Sequence, residues 1–241
     1  MDKTVLVTGG SRGIGAAVAL RLAADGADVA FTYRQDEESA AATVERIKAA
    51  GRRALAMKAD NADPGAVVAA VERTAEEFGR LDVLVNNAAA FVVAPLEECG
   101  PDEFDGVVAA NVRAPFLASR AAARVMGEGG RIITIGSNMA ERVVFPGFTL
   151  YSLSKTALIG MTKGLARELG PRGITVNLVH PGPTDTDANP ADSANAATIA
   201  GFTALGRYAR PEEIASMVAH LAGEGGYVTG AAITVDGGFS V

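Results

Sequence analysis

The chain has 241 residues, of which 49% are hydrophobic and 21% charged, so it is no disordered chain and can form a sizeable core. Its net charge of −6 argues against a general nucleic-acid binder or a polybasic membrane binder. A single cysteine, Cys99, excludes a disulfide framework and cysteine-rich zinc sites, and we predict no metal site. Because no long apolar run or leader pattern is found, we expect a cytoplasmic protein.

Short runs rich in Val and Ile alternate with longer Ala-rich segments, and such continuous apolar runs are typical of buried parallel strands. They predict strands at residues 4–8, 28–33, 54–58, 83–86, 131–135, 174–179 and 231–235. The segments between them predict helices at 14–24, 37–50, 64–78, 102–126, 151–169 and 211–221. Left-handed caps are predicted where helices end, at Gly26, Gly51 and Gly79. This alternation predicts one α/β domain over residues 1–241, a Rossmann-type doubly wound parallel sheet of about seven strands with helices on both faces.

One stretch, residues 181–205, breaks the alternation because it is rich in Pro, Asn, Asp, Ala and Gly. It follows the carboxyl end of the sixth predicted strand, where open α/β sheets bind ligands. Long irregular segments inside compact domains are usually functional. We therefore predict that this loop shapes the substrate site.

A glycine-rich turn, residues 8–15, joins the first predicted strand to the first helix. The first N–H groups of a helix are unpaired and glycine lets a backbone approach closely, so the turn can hold a dinucleotide pyrophosphate. A glycine turn alone is weak support, but this one lies at the first strand–helix junction, which favours a cofactor site. The predicted contacts are Gly9, Ser11, Gly13, Ile14 and Gly15.

The end of the second predicted strand bears on the choice of cofactor. It lacks the acidic residue that would hold a ribose 2′-hydroxyl and carries Arg34 instead. Arg34 and Arg12 of the glycine turn can together meet a 2′-phosphate, which favours NADP(H) over NAD(H). Either arginine alone is equally well explained as a solvated surface residue, so NAD(H) remains an alternative.

Tyr151 and Lys155 lie one helical turn apart on the same face of a predicted helix. An ammonium group near a tyrosine stabilises the phenolate and lowers its pKa from about 10, so the pair can exchange a proton with a carbonyl or alcohol oxygen. Such pairs also occur by chance. Ser137, just beyond the strand at 131–135, adds a hydroxyl that can polarise the same oxygen, although serines are common in turns.

In this order and at these junctions, the motifs resemble the short-chain dehydrogenase/reductase superfamily over essentially the whole chain. The resemblance implies that Tyr151 is the general acid/base and that Lys155 binds the cofactor ribose and lowers the tyrosine pKa. It implies that Ser137 orients the substrate carbonyl and that Asn111 anchors a water-linked proton relay to Lys155. Further cofactor contacts implied by the resemblance are Asp60, Asn61, Asn87, Ala88, Ala89, Pro181, Gly182, Thr184 and Thr186, with Ala89 standing where the family usually has Gly.

Residues 131–137 and 172–177 look like those of 3-oxoacyl-[acyl-carrier-protein] reductases. An acidic carrier protein needs a basic docking surface, for which Arg172 is a candidate, whereas Glu128 has the wrong sign. We therefore predict NADPH-dependent reduction of a 3-oxoacyl thioester, a small ketone or a keto ester to a secondary alcohol, with Tyr151 as general acid. The resemblance of residues 230–238 to the family's last strand implies a homotetramer.

Two alternatives stay open: an NAD-dependent secondary alcohol dehydrogenase, and a nucleotide-sensing module without catalysis. The loop at 138–150 carries apolar residues that suggest a pocket lining, or equally a cluster that anchors the loop: Val143, Val144, Phe145, Phe148 and Leu150. His180 and His220 are interpreted as structural or surface residues.

Overall fold

The computed structural model describes residues 2–241, and within them one parallel sheet of seven strands has the order β3-β2-β1-β4-β5-β6-β7. The strands are β1 (Thr4–Val7), β2 (Asp28–Tyr33), β3 (Ala54–Lys58), β4 (Val83–Asn86), β5 (Arg131–Ile135), β6 (Thr175–Pro181) and β7 (Ala232–Val235). The helices are α1 (Gly13–Ala24), α2 (Glu37–Ala49), α3 (Pro64–Phe78), α4 (Pro101–Val108), α5 (Ala114–Val125), α6 (Thr149–Leu169), α7 (Ala196–Ala200) and α8 (Pro211–Ala222). The predicted doubly wound fold is confirmed.

The core lies in two layers, one on each face of the sheet. In β1, Val5 and Val7 pack with α1 and α8, whereas Leu6 packs on the opposite side with α3 and α5. Successive side chains of a strand point to opposite faces, so a strand covered by helices on both sides needs an unbroken apolar run. This explains why the strands could be predicted from such runs.

The strand order reverses between β1 and β4, and the carboxyl ends of these two strands open a crevice. Ligands bind at such a switch point because the loops that leave the two neighbouring strands diverge there. The glycine turn follows β1 and the loop from Asn87 follows β4, so both motifs lie at this crevice.

Three details differ from the sequence-based prediction. The predicted helix at 102–126 is interrupted by a π turn, Ala109–Arg113, between α4 and α5. The segment 181–205 contains the short helix α7, and β6 extends through Pro181.

In the part of the chain described, no helix combines the length and the hydropathy needed to cross a membrane.

Candidate active site

The glycine turn is clamped to the loop after β4. The Thr8 hydroxyl accepts hydrogen bonds from the backbone N–H groups of Asn87 and Ala88, at 2.9 and 3.0 Å. The Asn87 amide donates in return to the carbonyls of Thr8 and Gly9, at 2.9 and 3.0 Å. The side chain of Asn87 therefore fixes the turn, and the two loops form one rigid floor.

Three glycines of the turn are required by its geometry. Gly9 and Gly13 have φ values of +66° and +55°, which L side chains rarely adopt. A Cβ on Gly15 would lie 2.1 Å from the Gly9 carbonyl oxygen. No side chain caps the first turn of α1, because its N-cap residue, Arg12, makes no such bond. The open helix start fits the pyrophosphate of a dinucleotide.

Ser137, Tyr151 and Lys155 line one cavity of about 260 Å³ above this floor. The Lys155 ammonium donates to the Ile135 carbonyl at 3.0 Å and lies 5.7 Å from the centroid of the Tyr151 ring. The Ser137 hydroxyl accepts from the Met139 backbone N–H at 3.2 Å and caps the short helical turn that follows β5. A carbonyl oxygen in the cavity can meet both hydroxyls.

Burial dominates the protonation of this cluster. It raises the pKa of Tyr151 to about 12, against the opposing effect of a hydrogen bond with Ser137. It lowers the pKa of Lys155 to about 8 because the ammonium is removed from water. In the protein alone, burial and Ser137 therefore set the pKa of Tyr151, without the lowering that we expected from Lys155, and the hydroxyl keeps its proton at neutral pH.

Asn111 lies on the π turn and is 2% exposed. Its amide oxygen accepts from the Ala90 N–H at 2.7 Å, and its amide nitrogen donates to the Ala90 carbonyl at 2.9 Å and to the Ser154 hydroxyl at 3.0 Å. The side chain thus ties the loop after β4 to α6. The π turn that carries Asn111 is a structure common at functional sites.

Residues 9–240 match the family model described as "Enoyl-(Acyl carrier protein) reductase". The cyclic-di-GMP-binding biofilm dispersal mediator protein of Escherichia coli is 46% identical over 98% of this chain and 97% of its own. A 3-oxoacyl-[acyl-carrier-protein] reductase of Synechocystis is 40% identical, with 98% and 96% of the two chains covered. The chain belongs to the short-chain dehydrogenase/reductase family. A family member from Burkholderia cenocepacia, solved in complex with NADP, has a TM-score of 0.98 at 55% identity and covers 100% of this chain and 98% of its own.

In this short-chain dehydrogenase/reductase, a second groove opens at the carboxyl ends of β2 and β3. Its lining includes Arg34, Lys58 and Asp60 but not Arg12, whose guanidinium lies 3.9 Å from the Asp187 carboxylate. Arg34 and Lys58 thus share this groove, and the Lys58 ammonium lies 3.0 Å from the Glu37 carboxylate. The pairing of Arg34 with Arg12 on a 2′-phosphate stays a prediction.

The remaining predicted contacts fall into two groups. Most line the main cavity beside the cluster, namely Ile14, Asn87, Ala89, Pro181, Gly182, Thr184 and Thr186. Asn61 is different, because its amide donates to the carbonyls of Ala88 and Ala110, both at 3.2 Å, and so holds two loops together. The Ser11 carbonyl accepts from Thr43 at 3.2 Å, which attaches the turn to α2.

His180 has a closer relation to the cluster than its sequence position indicated. It is fully buried, as a structural residue should be, and its Nδ1 accepts the backbone N–H of Ser137 at 3.0 Å. Burial lowers the pKa of His180, so the imidazole stays neutral and Nδ1 can accept. A Cβ on Gly136 would lie 2.4 Å from this nitrogen, which is why glycine precedes Ser137.

Of the five apolar residues that the sequence analysis named in the loop at 138–150, Phe145 and Phe148 line the cavity. Leu150 is buried at the start of α6, and Val143 is 47% exposed. Two further rings line the cavity, Phe91 and Phe239, which follow the motif ending at Ala89 and the segment 230–238 but were not themselves predicted.

Proposed function

We propose that this protein is an NADPH-dependent carbonyl reductase that converts a ketone, a keto ester or a 3-oxoacyl thioester to a secondary alcohol. The observation that carries the proposal is the convergence of Ser137, Tyr151 and Lys155 on one cavity that Ile14 of the glycine turn and Gly182 also line. The cavity therefore joins a dinucleotide floor to a proton donor.

The residues of the floor fit NADPH. The uncapped start of α1 would hold the pyrophosphate, and Arg34 with Lys58 would hold the 2′-phosphate. The B. cenocepacia relative at 55% identity was solved with NADP, which supports this choice. When bound, the nicotinamide supplies the hydride.

The chain's own residues handle the substrate oxygen and its proton. The Ser137 hydroxyl donates a hydrogen bond to the carbonyl oxygen, and the Tyr151 hydroxyl transfers its proton to that oxygen. Burial raises the pKa of Tyr151 to about 12, so the acid form that reduction requires is present at neutral pH. Lys155, 5.7 Å from the ring, stabilises the phenolate that results.

The lining of the second groove favours NADPH over the NAD-dependent alternative, because it carries two cations, Arg34 and Lys58, at the ends of β2 and β3. The carboxylates of that groove, Asp60 and Asp63, follow β3, whereas an acidic residue that holds a ribose 2′-hydroxyl would follow β2.

The proposal is tested by following NADPH or NADH consumption with a panel of carbonyl substrates. The panel holds simple ketones, keto esters and a 3-oxoacyl thioester of N-acetylcysteamine. Turnover of any of them with NADPH well above NADH is expected. Absence of turnover with both cofactors, in a protein that binds NADPH, would contradict the proposal.

A nucleotide-binding module without catalysis remains the second candidate, because the E. coli relative at 46% identity is named for cyclic-di-GMP binding. Titration of the protein with cyclic-di-GMP, with and without NADPH, separates the two candidates. Reductase activity with no cyclic-di-GMP binding supports the enzyme, whereas tight binding without turnover supports the module.

The candidate docking residue for a carrier protein, Arg172, also has a structural task. Its exposed guanidinium donates to the carbonyls of Ala123 and Met126, at 2.6 and 2.8 Å, and so closes the end of α5. We therefore give small carbonyl compounds precedence over acyl carrier protein.

We also propose a homotetramer. Large apolar side chains are exposed along α4, α5 and α6, namely Phe104, Phe116, Val125 and Leu153. Large apolar side chains exposed on these helices support a protein–protein interface there. Light scattering after size exclusion is expected to give four chains, and Phe116→Arg is expected to reduce that number.

A further inference from the structure

Five of the nine phenylalanines form a continuous line of ring contacts that starts at Tyr151. Successive ring centroids, from Tyr151 through Phe91, Phe148, Phe145 and Phe202 to Phe239, are 5.0, 6.0, 6.5, 5.4 and 5.7 Å apart. We call these five phenylalanines the aromatic wall. They come from four separate segments: the loop after β4, the loop before α6, the end of α7 and the C-terminus. The tertiary fold, and not one local segment, therefore brings these rings together.

The aromatic wall faces the cavity at graded depth. Phe91 is 55% exposed at the mouth, Phe145 and Phe148 are half-buried, and Phe239 is 1% exposed at the base. All four line the cavity, while Phe202 packs behind them. Apolar surface that stays open to a cavity beside polar reacting groups is characteristic of a small-molecule site.

Two contacts hold the aromatic wall in place. Arg142 donates to the carbonyls of Phe239 and Val241, at 2.6 and 3.0 Å, and so fixes the C-terminal segment. The Ala94 N–H donates to the Gly147 carbonyl at 3.1 Å, which ties the loop of Phe91 to the loop of Phe148. A wall fixed in advance spends little conformational entropy when a ligand binds.

The charge of the cavity limits what can enter. Among residues 2–241, the only charged side chain that lines it is Lys155, whose ammonium already donates to the Ile135 carbonyl. The guanidinium of Arg142 is engaged by the C-terminal carbonyls. A carboxylate or phosphate in this cavity would meet no cation but Lys155, which the proposed mechanism engages with Tyr151, so its desolvation would be poorly compensated.

We infer that the site takes neutral ketones carrying an aryl group, and that the aromatic wall selects that group. This inference rests on the proposed reductase function and names its substrate class. Aromatic rings prefer edge-to-face and offset contacts at centroid distances of about 4.5–7 Å, and the wall presents both ring edges and ring faces. The carbonyl oxygen then lies against Tyr151 and Ser137 while the aryl group packs on Phe145 and Phe148.

The test compares pairs of substrates whose carbonyls are electronically alike. For 4-phenyl-2-butanone we expect kcat/KM at least about tenfold above 2-butanone and about threefold above 4-cyclohexyl-2-butanone, which has the same bulk without a flat ring. We also expect kcat/KM for ethyl levulinate to exceed that for levulinate at least about tenfold, because levulinate is an anion and its ethyl ester is neutral.

Variants locate the selectivity. Phe145→Leu and Phe148→Leu are each expected to lower the ratio of kcat/KM for 4-phenyl-2-butanone to kcat/KM for 2-butanone at least about threefold. The matched control is Phe78→Leu in α3, where the ring packs 4.6 Å beneath the Arg53 guanidinium at the opposite edge of the sheet. Its ratio is expected to stay unchanged. A ratio measured on one protein sample does not depend on the fraction that is folded.

The outcomes separate this inference from the proposed function. Equal kcat/KM for 4-phenyl-2-butanone and 2-butanone, or an unchanged ratio in Phe145→Leu, overturns the inference while the reductase function stands. If no ketone is turned over, saturation-transfer NMR with 4-phenyl-2-butanol and 2-butanol, in the presence of NADP+, reads the preference directly. Selective binding of the aryl alcohol then keeps the inference and overturns the function, and equal binding overturns both.

Discussion

The two halves of the cavity are built by different means. The cofactor floor consists of backbone: Gly9, Gly13 and Gly15 hold shapes that side chains would block, and Thr8 and Asn87 bond to main-chain atoms. The substrate half is the aromatic wall, made of side chains that arrive from four segments. The floor therefore tolerates few substitutions, whereas side chains of the aromatic wall can be exchanged without a change in the backbone.

This contrast predicts where substitutions act. Changes in the floor should affect cofactor binding for every substrate, because the dinucleotide position is common to all of them. Changes in the aromatic wall should alter the ratio of kcat/KM between substrates and leave the affinity for NADPH unchanged.

The largest effect is expected from Gly15→Ala. The new Cβ would lie 2.1 Å from the Gly9 carbonyl oxygen, so the turn has to move. Displacement of a bound group by about 1 Å can cost about 100-fold in rate, and we expect kcat/KM for NADPH to fall by at least that factor. Gly127→Ala is the control, since its Cβ meets no atom within 4 Å. Normal NADPH binding by Gly15→Ala would show that the floor is not rigid.

A smaller effect is expected from Arg34→Asp in the groove beyond β2. Loss of a charge-assisted bond to a 2′-phosphate costs roughly 1.5–3 kcal/mol, so the preference for NADPH over NADH should fall at least about tenfold. Lys58→Ala should lower it less. Arg12→Ala is expected to change it little, because Arg12 lies outside the groove lining. If Arg12→Ala lowers the preference for NADPH as much as Arg34→Ala does, the pairing of Arg34 with Arg12 that the sequence predicts is supported.

His180 tests whether the Ser137 backbone depends on the imidazole beneath it. An Asn side chain can place its oxygen near Nδ1, whereas Gln places it near Nε2, so His180→Asn should keep kcat and His180→Gln should lose it several-fold. An unpaired buried N–H costs about 1–3 kcal/mol, which sets the scale of the loss. KM for NADPH should not change in either variant. Equal kcat losses in both variants would show that packing alone accounts for His180.

The smallest effect concerns the pH dependence of stability. Burial lowers the pKa of Lys155 to about 8 from its ordinary value of 10.5, so the unfolded chain binds more protons between these values. Stability in wild type should therefore rise with pH over this window, relative to Lys155→Met, by a few degrees in Tm. The raised pKa of Tyr151 acts in the opposite direction above pH 10, and the comparison ends there. A difference between the proteins that is constant from pH 7 to about 10 would contradict the lowered pKa of Lys155.

Local patterns allowed the floor and the sheet to be predicted. Gly51 and Gly79 take positive φ values of 75° and 77° at helix ends, as their sequence positions indicated. The π turn at Ala109–Arg113 gave no signal, because one wider turn barely changes the apolar periodicity of a long helix.

Long-range contacts explain what could not be predicted. Phe239 faces the cavity only because Arg142, 97 residues away in the sequence, holds its carbonyl. Nothing in the sequence indicates that two of the three guanidinium nitrogens of Arg172 bond to the end of α5. No pattern within a single segment encodes either pairing.

The most direct test of the account is Tyr151→Phe measured against Tyr227→Phe, the same change at a fully exposed ring. With 4-phenyl-2-butanone and NADPH, loss of the proton donor is expected to lower kcat by about 10²–10⁴-fold while the Kd for NADPH stays within about twofold. The Tyr227 variant should match wild type. Turnover by Tyr151→Phe at the wild-type rate would contradict the assignment of Tyr151 as the acid that completes carbonyl reduction.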